Sequence, residues 1–207
     1  MLAKILLAIV AVVLAFSLYV STRPGEFTVL RTTRIAAGPQ LVYSQISDFH
    51  QWPAWSPWAK LDPAMKTNYE GAPNGVGAIY GWSGNDKVGE GRMTITNARA
   101  PTLVQIKLEF LKPFSFTNEA TFTLVPDGTN TIATWAMSGT QNFVQKAFSL
   151  FMNMDKMVGG DFEKGLAQLK AVAEDAAVKT LAPAPGAAGS TPAPIATDSR
   201  TAPAAQR

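Results

Sequence analysis

Between residues 76 and 139 the chain alternates apolar and polar side chains in short segments separated by turn residues. A period of two with short connections is the pattern of antiparallel strands that keep one face in a core and one in water. In residues 76–83, Val76, Ala78, Tyr80 and Trp82 share a face opposite Gly77, Ile79, Gly81 and Ser83. Residues 87–98 set Met93 and Ile95 against Glu90, Arg92, Thr94 and Thr96, and residues 102–111 set Val104, Ile106, Leu108 and Phe110 against Gln105, Lys107 and Glu109. Residues 114–125 alternate Phe114, Phe116, Ala120, Phe122 and Leu124 with threonines and Glu119, and the polar Asn118 falls among the apolar set. Asp127-Gly128 is the strongest hairpin signal, and residues 131–139 follow with Ala133, Trp135 and Met137 aligned. Residues 27–37 read as one earlier strand. Such a sheet has a bare apolar face that something must cover.

The cover is a single amphipathic helix expected over residues 155–175. Val158, Phe162, Leu166, Leu169 and Val172 or Ala173 form one stripe, and Asp161, Glu163, Lys164, Gln168, Lys170 and Glu174 form the other face. Gly159-Gly160 lies near its start, where each glycine loses roughly 1 kcal/mol relative to alanine. Close passage of the sheet, or a bend, is expected there. Residues 143–154 form an apolar, methionine-rich approach to this helix. Pro39 suits the first turn of a short helix, Pro39–Ser47, with Leu41, Val42 and Ile46 inward. Residues 50–58 (HQWPAWSPW) hold three tryptophans and two prolines, which predicts a compact turn or broken helix.

The two ends differ from this domain, which spans residues 26–175. Residues 5–20 carry no charge, and together with Met1 to Ala3 they reach roughly 30 Å as a helix, the thickness of a bilayer core, so residues 1–22 form the apolar segment. They read as an uncleaved single-pass anchor. The competing cleaved signal peptide has only Ala15-Phe16-Ser17 as a processing site, inside the apolar run. Lys4 and the amino terminus against Arg23 favour a domain outside the cytoplasm. Residues 176–207, mostly Ala, Pro, Gly, Ser and Thr, predict a disordered tail.

Composition excludes several chemistries. Residues 26–175 carry 13 basic against 14 acidic side chains, so the basic excess lies at the ends and no nucleic-acid footprint is expected on the domain. There is no cysteine and one histidine, which leaves no thiolate or multi-histidine metal site. No phosphate-binding glycine pattern is present, and no cofactor is expected.

The order strand, two short helices, antiparallel strands and a long final helix resembles the helix-grip fold of the START/SRPBCC superfamily, an α+β architecture. Residues 48–58 (DFHQWPAWSPW), 75–82 (GVGAIYGW) with Gly84-Asn85, and 154–169 (MDKMVGGDFEKGLAQL) carry the resemblance, and they are similar to membrane-anchored polyketide cyclase/dehydrase-like proteins. It implies a curved antiparallel sheet wrapped round the helix and an apolar cavity between them.

Within that frame Trp55, Trp58, Tyr80, Trp82, Met93, Asn118, Trp135 and Met157 are the candidate ligand-binding residues. Aromatic and thioether side chains give adaptable apolar walls, and Tyr80, Trp82, Asn118 and Trp135 add hydrogen-bonding groups. No acid/base pair is evident. Asp48 reads as a cap for the aromatic turn, and His50 as a structural or rim residue. Binding of a small hydrophobic molecule, a lipid or an aromatic metabolite, is therefore preferred. The alternatives are a polyketide cyclase/dehydrase-like enzyme using Tyr80, Asp48 or His50, and an interaction domain with a spacer tail.

Overall fold

The computed structural model describes residues 1–151 and 154–181. Seven strands follow one another as β1 (Glu26–Ile35), β2 (Lys66–Gly71), β3 (Ala78–Ser83), β4 (Glu90–Arg99), β5 (Leu103–Lys112), β6 (Phe116–Asp127) and β7 (Asn130–Thr140). The helices are α1 (Leu2–Ser21), α2 (Pro39–Ser47), α3 (Phe143–Ser149) and α4 (Met154–Leu181), with a 3₁₀ segment, Phe49–Ala54, after α2. The strands form one antiparallel sheet in the order β1-β7-β6-β5-β4-β3-β2. It is a meander from β2 to β7 onto which β1 closes, because Glu26 pairs with Thr140 and Ile35 with Thr131.

Alternation decides which face is inner. The register places Phe122 opposite Trp135 and Ala120 opposite Met137, so the apolar parities of β6 and β7 coincide. Val29, Ile106, Phe122, Leu124, Ala133 and Trp135 then meet Phe162, Leu166, Leu169 and Ala173 of α4 and Val42 and Ile46 of α2 in one core. Each large side chain buried there contributes about 1.5–3 kcal/mol. α4 lies chiefly along β1 with α2 beside it, while α2 and the 3₁₀ segment reach toward β5, β6 and β3.

Two glycines hold α4 close. A Cβ on Gly159 would overlap the Arg31 guanidinium, which reaches from β1 to donate to Asp155 at 2.9 and 3.0 Å and to Glu163 at 2.7 Å. What lies against Gly159 is thus the end of the Arg31 side chain rather than the sheet itself, whereas Gly160 has nothing within 4 Å of its added Cβ. Gly165, which the periodicity does not single out, sits against Trp135 and Pro57.

The differences from the expected elements have physical causes. β2 escapes the alternation argument because all six of its residues are exposed, so edge pairing with β3 holds it rather than a buried face. Val76 and Gly77 precede β3. Gly77 adopts φ +89° and its N–H donates to the Ile95 carbonyl at 2.9 Å. α4 runs beyond residue 175 to Leu181. The remainder of the alanine- and proline-rich segment, residues 182–207, lies outside the described residues.

α1 is long and apolar enough to cross a membrane, and nearly all of it is exposed. Its last turn touches α3, and Val20 is fully buried there.

Candidate functional site

The aromatic side chains form a continuous path along the inner face, closed at one end and open at the other. At the closed end, prolines 53 and 57 keep the segment after α2 compact and turn Trp52 and Trp55 inward. Their indole N–H groups donate to the Ile46 carbonyl at 2.9 Å and the Gln45 carbonyl at 3.1 Å. Those are last-turn carbonyls of α2, which lack partners within the helix. Trp135 stacks on Phe162, with centroids 4.1 Å apart and planes 8° apart, and on Phe122 at 4.8 Å. Trp52, Trp55 and Trp58 meet it edge-on.

The Trp135 indole nitrogen is buried with no hydrogen-bond partner among the described residues. An orphaned buried donor costs about 1–3 kcal/mol, so this atom is a standing demand for an acceptor.

Through Phe49, 6.0 Å from Tyr80, the path continues to the open end. Tyr80 and Trp82 of β3, Met93 of β4, Leu108 and Phe110 of β5 and Phe116 of β6 are all only half-buried. Trp82 lies over Gly91, where an added Cβ would stand 2.5 Å from the indole ring, and its N–H donates to the Val88 carbonyl at 2.9 Å. Phe110 meets Trp82 edge-on at 5.8 Å and stacks on Phe116 at 4.4 Å. Burial, with a smaller contribution from neighbouring Tyr69, pushes the Tyr80 phenol up to about 12. Tyr80 therefore stays neutral in ordinary buffers and can donate a hydrogen bond.

The candidate residues thus divide into groups. Tyr80, Trp82 and Met93 come together at the open end, with Tyr80 opposite Met93 in the β3–β4 register. Trp55, Trp58 and Trp135 belong to the closed cluster, Trp55 being completely buried. Asn118 is buried over Gly139, with its amide N–H directed at the Met137 sulfur at 3.6 Å. Met157 is exposed on α4 and joins neither group. Sequence reasoning missed Phe49, Phe110, Leu108 and Gly91. The parity of β5 already placed Leu108 and Phe110 inward, but nothing local announced that Gly91 would cradle Trp82.

At the rim Asp48 caps the 3₁₀ segment, accepting from the His50 backbone at 2.9 Å while the His50 Nδ1 lies 2.8 Å away. Burial pushes this carboxyl up, but hydrogen bonds from the His50 backbone and ring and from Gln51 outweigh it and hold it below the usual range. The His50 ring stacks on Tyr69 at 4.2 Å, and Tyr69 lies 5.3 Å from Tyr80. Two clefts lie elsewhere. One of about 630 Å³ runs over the polar side of β1, β7, β6 and β5, with Thr28, Lys107, Asn118, Glu119 and Ser138 in its lining. The other, about 360 Å³, lies beside α2 near Tyr43, Asp48 and Gln51. Among the described residues no cluster of acidic, histidine or cysteine side chains could hold a metal ion.

Residues 26–174 match the family described as "Polyketide cyclase / dehydrase and lipid transport". Among solved structures, protein CV1439 from Chromobacterium violaceum is similar with TM-score 0.52 at 14% identity, covering 73% of this chain and 99% of its own. Protein MLL2253 from Mesorhizobium loti gives 0.52 at 18% identity, covering 72% and 98%. Ara h 8.0201 gives 0.50 at 11% identity, covering 75% and 99%. Identities this low establish a shared fold and nothing more. No curated protein sequence matches the chain. With its antiparallel sheet closed over one long helix, the chain belongs to the polyketide cyclase/dehydrase and lipid transport family of the helix-grip (START/SRPBCC) superfamily.

Proposed function

We propose that this protein is a membrane-tethered binding domain that holds a small hydrophobic ligand, a lipid or an aromatic metabolite, on the open aromatic end of the sheet–helix interior. One observation carries the reading: Tyr80, Trp82, Met93, Leu108, Phe110 and Phe116 stay half-buried side by side, whereas Ile106, Phe122, Leu124, Ala133 and Trp135 of the same face are buried. A folded domain does not leave so much aromatic surface partly wet unless something else covers it. Tyr80, neutral and able to donate, supplies a polar contact at this end. Trp135 offers a second donor deeper along the path.

α1 supports the tether, and the burial of Val20 against the domain supports its retention in the mature chain. Lys4 before the apolar run favours a domain outside the cytoplasm.

Native mass spectrometry and lipid extraction of the full chain, purified in mild detergent, test the binding reading. A bound apolar molecule that is lost in Trp82→Ala is the expected result. A chain that carries nothing and whose tryptophan fluorescence ignores added lipids and aromatic metabolites refutes it.

A second reading, an enzyme, is favoured only by the Asp48–His50 pair at the rim, in which the carboxylate could orient the imidazole for proton transfer. Asp48→Asn separates the two readings, because it should abolish turnover of a cyclisable substrate and leave apolar-ligand binding intact.

A further inference from the structure

α3 is turned inside out. Val144, Phe148 (62% exposed) and Phe151 (80% exposed) recur at the spacing of one helical face and point into solvent, with Phe143 exposed beside them. The half-buried positions are Gln145, Lys146, Ala147 and Ser149, with Leu150 just after the helix. This reverses the usual order of burial, so the outer face needs an apolar partner. The same edge of the sheet presents Phe114 (76% exposed) in the turn between β5 and β6, and Leu111 near the end of β5. That turn shares the edge because Asn118 near the start of β6 pairs with Gly139 near the end of β7, and Thr140 pairs with Glu26 at the start of β1.

This edge is also where α1 enters the domain. From Ser21 to Glu26 the chain spans under about 18 Å even when fully extended. The linker is strapped down, since the Gln141 N–H donates to the Gly25 carbonyl at 2.6 Å. α3 rests on the last turn of α1, where Ser17 is half-buried and Val20 fully buried. Arg23 lies over the Tyr19 ring, 4.5 Å from its centroid, at that end of the helix, the pairing of basic and aromatic groups expected at a membrane–water boundary. The level of α3 is therefore the level at which α1 leaves the hydrocarbon.

We propose that the outer face of α3 (Val144 and Phe148), together with Phe151 in the turn after it and Phe114, inserts into the interfacial layer of the bilayer that α1 spans. The inference rests on the tether reading above. A lipid surface fits better than a second copy because α3 packs against α1, whose own exposed apolar surface is long enough to span a bilayer. Phe116 starts β6 at this edge, and Trp82 and Phe110 lie near the matching ends of β3 and β5. The open aromatic end thus borders the bilayer, and an apolar ligand passes between lipid and protein with little exposure to water.

The absence of cysteine gives a direct test on the full chain. Val12→Cys in α1, Phe148→Cys and Val144→Cys in α3 and Thr129→Cys in the distal hairpin are each labelled with an environment-sensitive dye. The proteins are then reconstituted into phosphatidylcholine–phosphatidylglycerol vesicles. Labels at 12, 144 and 148 should show blue-shifted emission, quenching by spin-labelled lipid and loss of quenching by aqueous iodide, while the label at 129 behaves oppositely. A buried label at 12 with iodide-quenched labels at 144 and 148 overturns the insertion face and leaves the tether standing. Labels at 144 and 148 shielded from both quenchers mark a protein contact, which also overturns it. An aqueous label at 12 overturns the tether and this face together.

Discussion

Gly165→Ala in α4 tests whether the closed end of the aromatic path is as tightly packed as the ring stacking requires. In an open helix this substitution stabilises by roughly 1 kcal/mol, because glycine is the poorer helix former. Here the new Cβ would lie 2.7 Å from Cζ3 of Trp135 and 3.1 Å from Cδ of Pro57. Carbon–carbon contact needs about 3.5–4.0 Å, so the overlap approaches one ångström. Trp135 has little room to retreat, with Phe162 stacked at 4.1 Å and Phe122 at 4.8 Å. Overpacking of this kind costs about 1–3 kcal/mol. Gly160→Ala, five residues earlier in the same helix with nothing within 4 Å of its Cβ, is the internal control and keeps the full propensity gain.

The two alanine variants should therefore differ by about 1–3 kcal/mol in urea denaturation, or roughly 2–10 °C in Tm for a domain of this size. Gly160→Ala should be the more stable. Equal stabilisation by both would show that Trp135 can move freely and would refute the packed-end argument.

Other perturbations probe the remaining contacts. Trp135→Phe keeps a ring on Phe162 while deleting the orphaned N–H, so the lost packing and the recovered 1–3 kcal/mol should nearly cancel, to within about 1 kcal/mol. A drop in urea-derived stability as large as the 3–5 kcal/mol typical of a truncated tryptophan would mean that the N–H is satisfied in solution. Tyr80 holds its proton longer in the folded chain, so the unfolded chain ionises first. The stability Tyr80 confers is complete below pH 10 and is lost as the pH rises toward about 12. Tyr80→Phe should remove that late step from an ultraviolet tyrosinate titration and flatten the alkaline loss of stability. Asp48 works in the opposite sense. Its depressed carboxyl stabilises above its ordinary value of 3.8 and less as the pH falls through the folded value, and Asp48→Ala should cost about 1 kcal/mol in thermal melts as a lost cap.

The division of the aromatic face matters for how such a domain could work. Its closed end supplies stability through rings whose N–H groups finish α2, and its open end supplies the surface available to a ligand. The two are joined through Phe49, so on the proposed reading a ligand at Tyr80 and Trp82 would contact a wall braced by the core.

Most of the fold is written in local pattern. A period of two sets the inner parity of β3 to β7 before any contact is known, and turn residues such as Asp127-Gly128 place the hairpins. Pro39 starts α2 and the stripe from Val158 to Leu169 identifies α4. These signals are local because each strand or helix must present one apolar face whatever it packs against. β2 lacks such a face and was invisible. Which aromatic residues are walls and which are core was decided only by tertiary structure. Tyr80 and Trp135 have the same parity signal, yet α4 lies over β1 and seals Trp135 while the ends of β3, β4 and β5 stay open. Gly165 and Gly91 likewise acquire their meaning from a tryptophan many residues away. Periodicity says that a side chain faces inward; only the path of the covering helix says whether anything is there to meet it.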